Sequence, residues 1–225
     1  MWKSIVWLST GKTAPDQDSI MTSDSRAHGK VNTAIGEYLH TFKESDVGRD
    51  EGKIQERKDG YETMVRNYYD LVTDFYEYGW GESFHFAPRY EWESFPDSLR
   101  RHEYYLGARL GLKPGMEALD LGCGVGGPMR SIARFTGCNV TGVTICEYQV
   151  GRANMLNKKY GIDKQCKAEY GDVMNLGEER KGKFDAAYGV EATCHAPDRS
   201  KCFREVYEAL KPGAMFAVYE WAMTP

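Results

Sequence analysis

Chemistry is densest in Ala118-Leu-Asp-Leu-Gly-Cys-Gly-Val-Gly-Gly-Pro128, a short apolar run that ends in an acid and a glycine-crowded turn. Asp120 stands two residues before Gly122, and Gly124, Gly126 and Gly127 follow. Glycines let a backbone approach a ligand closely, and a helix starting on them offers free N–H groups to a nucleotide-like molecule. Gly122-x-Gly124-x-x-Gly127 has the spacing of a dinucleotide fingerprint, a pattern that is weak by itself. Thr144 and Gln149 flank the end of the next apolar run, and Gly171-Asp172 closes the third, where a carboxylate can meet an adenine amino group. The plainer alternatives are a loop or helix-capping role for Asp120 and an ordinary turn acid for Asp172.

Two features choose between cofactors. A diphosphate beside Asp120 meets like charge at low dielectric, whereas the positive groups of S-adenosylmethionine are attracted. A nicotinamide site also wants an acid at the second strand tip for the ribose, and that tip reads Thr144-Ile-Cys146. Both favour S-adenosylmethionine as methyl donor over NAD.

The elements that position these residues follow from periodicity. After Lys113-Pro-Gly115, strands are expected at Glu117–Leu121, Asn139–Ile145, Lys167–Val173, Phe184–Val190 and Met215–Trp221. Helices are expected at Gly127–Phe135, Tyr148–Tyr160 and Asp198–Leu210, the last with Phe203, Val206, Tyr207 and Leu210 as its buried stripe and Lys211-Pro212-Gly213 as its stop. Strands alternating with helices give an α/β, Rossmann-like parallel sheet with helices on both faces. Before it, residues 61–112 are expected to be helical and aromatic-rich. Met64, Val65, Tyr68, Tyr69, Val72 and Phe75 recur at helical spacing, and a second helix covers Ser98–Leu110 behind Pro96 and Asp97. Residues 1–60 read as an arm: loose over 9–30, one amphipathic helix over 31–45, then a charged connector.

Composition narrows the classes. A net charge of −4 over 225 residues leaves no footprint for a nucleic acid. Six scattered cysteines without a C-x-x-C pair read as reduced thiols of an intracellular protein, and no metal is expected. The apolar part of Met1–Leu8 is too short for a signal peptide, and no run approaches the roughly 20 residues of a membrane span.

Leu119–Pro128 resembles motif I of class I methyltransferases in the form found in sterol 24-C-methyltransferases. Tyr76-Glu-Tyr-Gly-Trp-Gly-Glu-Ser-Phe-His-Phe86 resembles that family's upstream aromatic block. Glu191-Ala-Thr-Cys-His-Ala-Pro197 and Lys211–Trp221 resemble its segments after strand four and at strand five. The likeness runs from about Tyr68 to Thr224. It implies transfer of a methyl group to carbon 24 of a sterol side-chain double bond, then a hydride shift in the resulting carbocation and loss of a proton. An alkene is a feeble nucleophile, so alignment and desolvation of the donor should carry the rate. Tyr76, Tyr78, Trp80, Phe84 and Phe86 then read as an aromatic wall for the cation, bent at Gly79 and Gly81, with core packing as the plainer reading. Candidates for the proton acceptor are Glu77, Glu82, His85, Glu191 and His195, with Glu191 first and His85 second. Cys146 stands where the family carries asparagine, which would weaken a ribose contact.

The family's last two strands and C-terminal segment are missing from these 225 residues. The expectation is therefore retained cofactor binding with sterol methylation much reduced or absent. The alternatives are another small-molecule methyltransferase, acting on a phosphobase or a tocopherol-like ring, and a non-catalytic cofactor-binding remnant. A sterol substrate implies peripheral work at the cytosolic face of the endoplasmic reticulum or a lipid droplet, and the family implies a homo-oligomer.

Overall fold

Glu117-Ala-Leu-Asp-Leu121 alternates two kinds of side chain, and the strand it forms sets the fold. Leu119 and Leu121 join Val143, Phe184, Ala187, Val206 and Ala209 on one face of the sheet, while Ala118 joins Met129, Ile132, Val140 and Ala153 on the other. Full burial of a leucine such as Leu119 stabilises by about 1.5–3 kcal/mol. The computed structural model describes residues 60–221. The expected arm, its helix at 31–45, the Trp2–Leu8 tip and the end at Met223–Pro225 lie outside the described residues.

Five strands, β1 (Glu117–Leu121), β2 (Asn139–Thr144), β3 (Cys166–Tyr170), β4 (Phe184–Val190) and β5 (Leu210–Tyr219), form one parallel sheet in the order β3-β2-β1-β4-β5. The helices are α1 (Tyr61–Trp80), α2 (Phe95–Arg109), α3 (Gly127–Thr136), α4 (Glu147–Lys159) and α5 (Arg199–Ala209). Residues of α2, α3 and α4 pack on the Ala118 face and those of α5 on the Leu119 face, so both faces are covered. Strand order reverses between β1 and β4, which opens a crevice beyond their carboxyl ends.

Several local expectations change. The stripe of α5 is Cys202, Val206 and Ala209, all at most 1 % exposed, whereas Tyr207 is 80 % exposed and Phe203 turns outward onto Phe216. Lys211-Pro-Gly213 does not separate helix from strand. Leu210 already pairs with Phe184, and the register slips before Ala186 meets Met215, so the three residues form an irregularity inside β5. Strand β3 stops at Tyr170, freeing Gly171 and Asp172 for a turn. Helix α1 continues through Tyr76–Trp80, with Gly79 inside it, and the chain turns only at Gly81, where φ is +91°.

Helix α1 buries almost nothing completely; Thr73 is its single buried residue. It lies across the strand ends on polar tethers. Glu77 holds Arg152 through two bonds of 2.7 and 3.0 Å, the Gln149 amide donates to Thr73 Oγ1 at 3.2 Å, and Tyr148 donates to Asp74 at 2.5 Å. The segment after α1 is bolted down more firmly. Glu82 accepts from Arg130 at 2.7 Å and from Tyr160 at 2.6 Å, and its carbonyl lies so close to Gly127 that a Cβ there would be 2.0 Å away.

Candidate functional site

The crevice between β1 and β4 is a cleft of about 100 Å³. Its floor is the glycine turn, its sides are the ends of β2, β3 and β4, and its roof is α1 with the 82–85 segment. Of the cofactor residues read from sequence, Gly122, Gly124, Thr144, Gln149 and Asp172 line it together. Gly122 has φ +68°, and a Cβ there would sit 2.5 Å from that of Ala192. Gly126 lies outside the lining. It caps α3 in the left-handed region, where a Cβ would meet Met129 and Arg130 at 2.8 Å.

Asp120 is also outside the lining, two residues below the turn and 2 % exposed. Burial pushes its carboxyl well above the ordinary range, with the nearby Tyr188 hydroxyl opposing and the charge of Glu103 adding. Its Oδ2 makes no hydrogen bond, so one acceptor atom at the head of β1 awaits a donor. That orphan acceptor and the glycine cradle fit S-adenosylmethionine, which carries an ammonium group and a sulfonium. Thr144 donates to Gln149 Oε1 at 2.8 Å, and Asp172 accepts from the Tyr61 hydroxyl. Cys146 does not face the cleft; its thiol donates to Asp70 at 3.0 Å. Burial and then Asp70 push that thiol up to about 12.

The acid–base candidates separate by their partners. Glu77 is committed to Arg152, and Glu82, although it lines the cleft, has both oxygens engaged. His85 lines the cleft but is 2 % exposed. Its Nδ1 faces the Phe86 carbonyl at 2.9 Å and its Nε2 faces Glu103 Oε1 at 3.0 Å. The Phe86 carbonyl can only accept, so Nδ1 carries a proton, and the Glu103 carboxyl group faces Nε2. Burial alone would lower the His85 pKa, but the Glu103 carboxylate, the Phe86 carbonyl and the charge of Glu191 raise it above its ordinary value. Both ring nitrogens of His85, the second choice of base, are thus engaged by Phe86 and Glu103.

His195 lines the cleft with Nε2 3.1 Å from the Tyr69 hydroxyl. Burial lowers its pKa below the ordinary value, against the opposing pull of Glu220. Glu191 also lines the cleft. Its Oε1 accepts the Phe86 N–H at 2.8 Å and its Oε2 accepts the Trp221 indole N–H at 3.1 Å. Glu191 has φ +52°, the only positive φ of a non-glycine residue among the described residues. Such a conformation costs of order 1–3 kcal/mol and survives where surrounding structure imposes it.

The aromatic wall is built differently from its expected form. Tyr76, Tyr78 and Trp80 do not line the cleft, because a helix turns successive side chains by about 100° and only one edge of α1 faces in. Tyr78 is 79 % exposed. Tyr76 shares a 2.5 Å hydrogen bond with Tyr68 and leans on Phe84. Trp80 packs edge-on against Phe86 and Phe95 and donates to the His85 carbonyl. Phe84 alone of the expected wall lines the cleft, joined by Tyr61 and Tyr69. The helical spacing of Tyr61, Val65 and Tyr69 was the available signal for this face, but that spacing equally suits core packing.

Residues 119–218 match the family model described as a methyltransferase domain. The chain is 53 % identical over 173 residues to the cycloartenol-C-24-methyltransferase of Arabidopsis thaliana, covering 77 % of this chain and 51 % of that protein. It is 46 % identical over 204 residues to the sterol 24-C-methyltransferase of Saccharomyces cerevisiae, covering 90 % of this chain and 53 % of that one. Residues 119–218 form a methyltransferase domain of the class I type. It spans about half the length of the curated relatives it matches. A solved structure of geranyl diphosphate methyltransferase in complex with S-adenosylmethionine aligns with a TM-score of 0.52 at 26 % identity, covering 55 % of this chain and 50 % of that chain.

Proposed function

We propose that the cleft between β1 and β4 binds S-adenosylmethionine and that the protein transfers its methyl group to carbon 24 of a sterol side-chain double bond. The observation that carries the donor half is the meeting of Gly122, Thr144, Gln149 and Asp172 around one cleft above the unpartnered Asp120 Oδ2. The acceptor half is supported by the likeness to plant and fungal sterol methyltransferases.

When bound, S-adenosylmethionine supplies an electrophilic methyl group on a sulfonium leaving group. The residues of this chain would hold and orient it: the glycine turn would bring backbone to it, with Asp120 beneath that turn, and Thr144, Gln149 and Asp172 would supply polar groups from the cleft wall. Phe84 and Tyr69 present aromatic surface to the cation that methylation creates on the sterol, worth about 2 kcal/mol or more in a dry site. After a neighbouring hydride shifts, a proton leaves carbon to a base; we assign that role to Glu191, which lines the cleft with His195 on the same loop. The Cys123 thiol, which lines the cleft, does not compete for the methyl group, because burial, aided by Asp120, pushes its pKa well above the ordinary value.

The test is label transfer from methyl-labelled S-adenosylmethionine to a sterol with an unsaturated side chain. Slow labelling that requires the double bond is expected. Binding of the donor without labelling of any sterol would support a cofactor-binding module instead. A bilayer-resident substrate also supports peripheral association with the endoplasmic reticulum or a lipid droplet, and self-association completes the proposal. No helix among the described residues is long and apolar enough to cross a membrane.

A further inference from the structure

Three consecutive residues at the end of β5 converge on the loop that carries Glu191. The Tyr219 carbonyl accepts the Glu191 N–H at 2.8 Å. One oxygen of Glu220, Oε1, accepts the Ala192 N–H at 3.1 Å, the Thr193 N–H, and the Thr193 hydroxyl at 2.7 Å. Trp221 then donates its indole N–H to the Glu191 carboxylate at 3.1 Å. Thr193 is 1 % exposed, and the carboxylate sits at the start of the short turn Thr193–His195, where backbone N–H groups have no partners of their own turn.

We propose that Glu220 is a positioning residue: by gathering the Ala192 and Thr193 donors on one oxygen it holds Glu191 in its left-handed conformation with the carboxylate facing the cleft. The inference rests on the proposed role of Glu191. A peptide in that conformation relaxes when its neighbours release it, and nothing else in the loop supplies acceptors for the Ala192 and Thr193 N–H groups. The Ala192 methyl is also the atom that closes on Gly122, so the same clamp fixes the distance between Glu191 and the glycine turn.

The experiment compares Glu220→Ala with Glu220→Gln, which keeps an acceptor oxygen, in the 225-residue chain. Hydrogen exchange of the 189–195 amides is read alongside S-adenosylmethionine affinity and the kcat of label transfer. The alanine variant is expected to lose protection at 189–195 while β1 to β3 stay protected. It should lose about 100-fold in kcat, as a 1 Å misplacement does, with donor affinity nearly unchanged. Glu220→Gln is expected to restore most of both. Wild-type protection at 189–195 in Glu220→Ala, or equal loss of exchange protection across the whole sheet in both variants, overturns the clamp. The exchange result stands whether or not sterol turnover is seen, and full turnover in Glu191→Gln would instead remove the role assigned to Glu191.

Discussion

Replacing Glu103 by Gln isolates the buried pair that it makes with His85. The side chains of the pair are 1 % and 3 % exposed, and the carboxylate oxygen that meets His85 at 3.0 Å also receives Ser83 Oγ at 2.6 Å. The substitution keeps the shape but removes the countercharge. An uncompensated buried charge costs about 3–5 kcal/mol, a large share of the roughly 5–15 kcal/mol by which domains are stable. The pH dependence carries a sign. In the wild type the folded pKa of His85 lies above its unfolded value, so the pair stabilises fully below the unfolded pKa of about 6.5 and loses that contribution as pH rises through the raised folded value. In Glu103→Gln, burial dominates and the folded pKa drops below 6.5, so the folded state must shed a proton that the unfolded chain keeps. The groups facing His85 are Glu103, Glu191, the Phe86 carbonyl and His102, whose ring centre is 5.9 Å away. Of these, His102 is itself lowered by burial and then by His85, so it supplies no replacement charge. Urea unfolding of both proteins at about pH 6 and about pH 9 should show a difference of about 3–5 kcal/mol at the lower pH that shrinks at the higher. A difference below about 1 kcal/mol, or one independent of pH, would refute a buried ion pair.

Other substitutions probe other parts of the account. Gly122→Ala places a Cβ 2.5 Å from that of Ala192 at φ +68°, and calorimetry should show S-adenosylmethionine binding lost while the sheet still folds. Glu191→Gln should lower kcat by about 100-fold with donor affinity within about threefold, the pattern for a group that acts in the chemical step. Leu119→Ala, at a position with no exposed surface, should destabilise by about 2–5 kcal/mol in chemical unfolding. Cys194, pushed up to about 12 by burial and then by Glu220, should react with iodoacetamide at pH 8 about 1,000-fold more slowly than a thiol of pKa 8.5, read by mass spectrometry.

The sheet was legible because its signals are local. Asp120 and the glycines mark the end of β1, and β1 and β4 have the boundaries that apolar runs imply. The meeting of Gly122, Gly124, Thr144, Gln149 and Asp172 around one cleft was legible for the same reason, since they lie near strand ends, whereas the exclusion of Asp120 and Gly126 from its lining was not. What sequence could not show was which residues tertiary contacts remove from solvent. Tyr207 and Cys202 both lie on α5, yet the sheet chooses Cys202. The partner of His85, Glu103, lies eighteen residues on and no local pattern names it. Tyr78 and Trp80 sit beside Tyr76 in an aromatic run, but a helix points them away from one another. The strain at Glu191 and the clamp from Glu220 depend on β5 lying beside β4, a contact no local pattern encodes.

The central claim is that one cleft above β1 and β4 holds the methyl donor, and titration calorimetry of S-adenosylmethionine into the 225-residue chain and its Gly122→Ala variant tests it most directly. The account predicts a single site in the wild type that disappears in the variant. No binding to a folded wild type, or equal binding by both proteins, would contradict it.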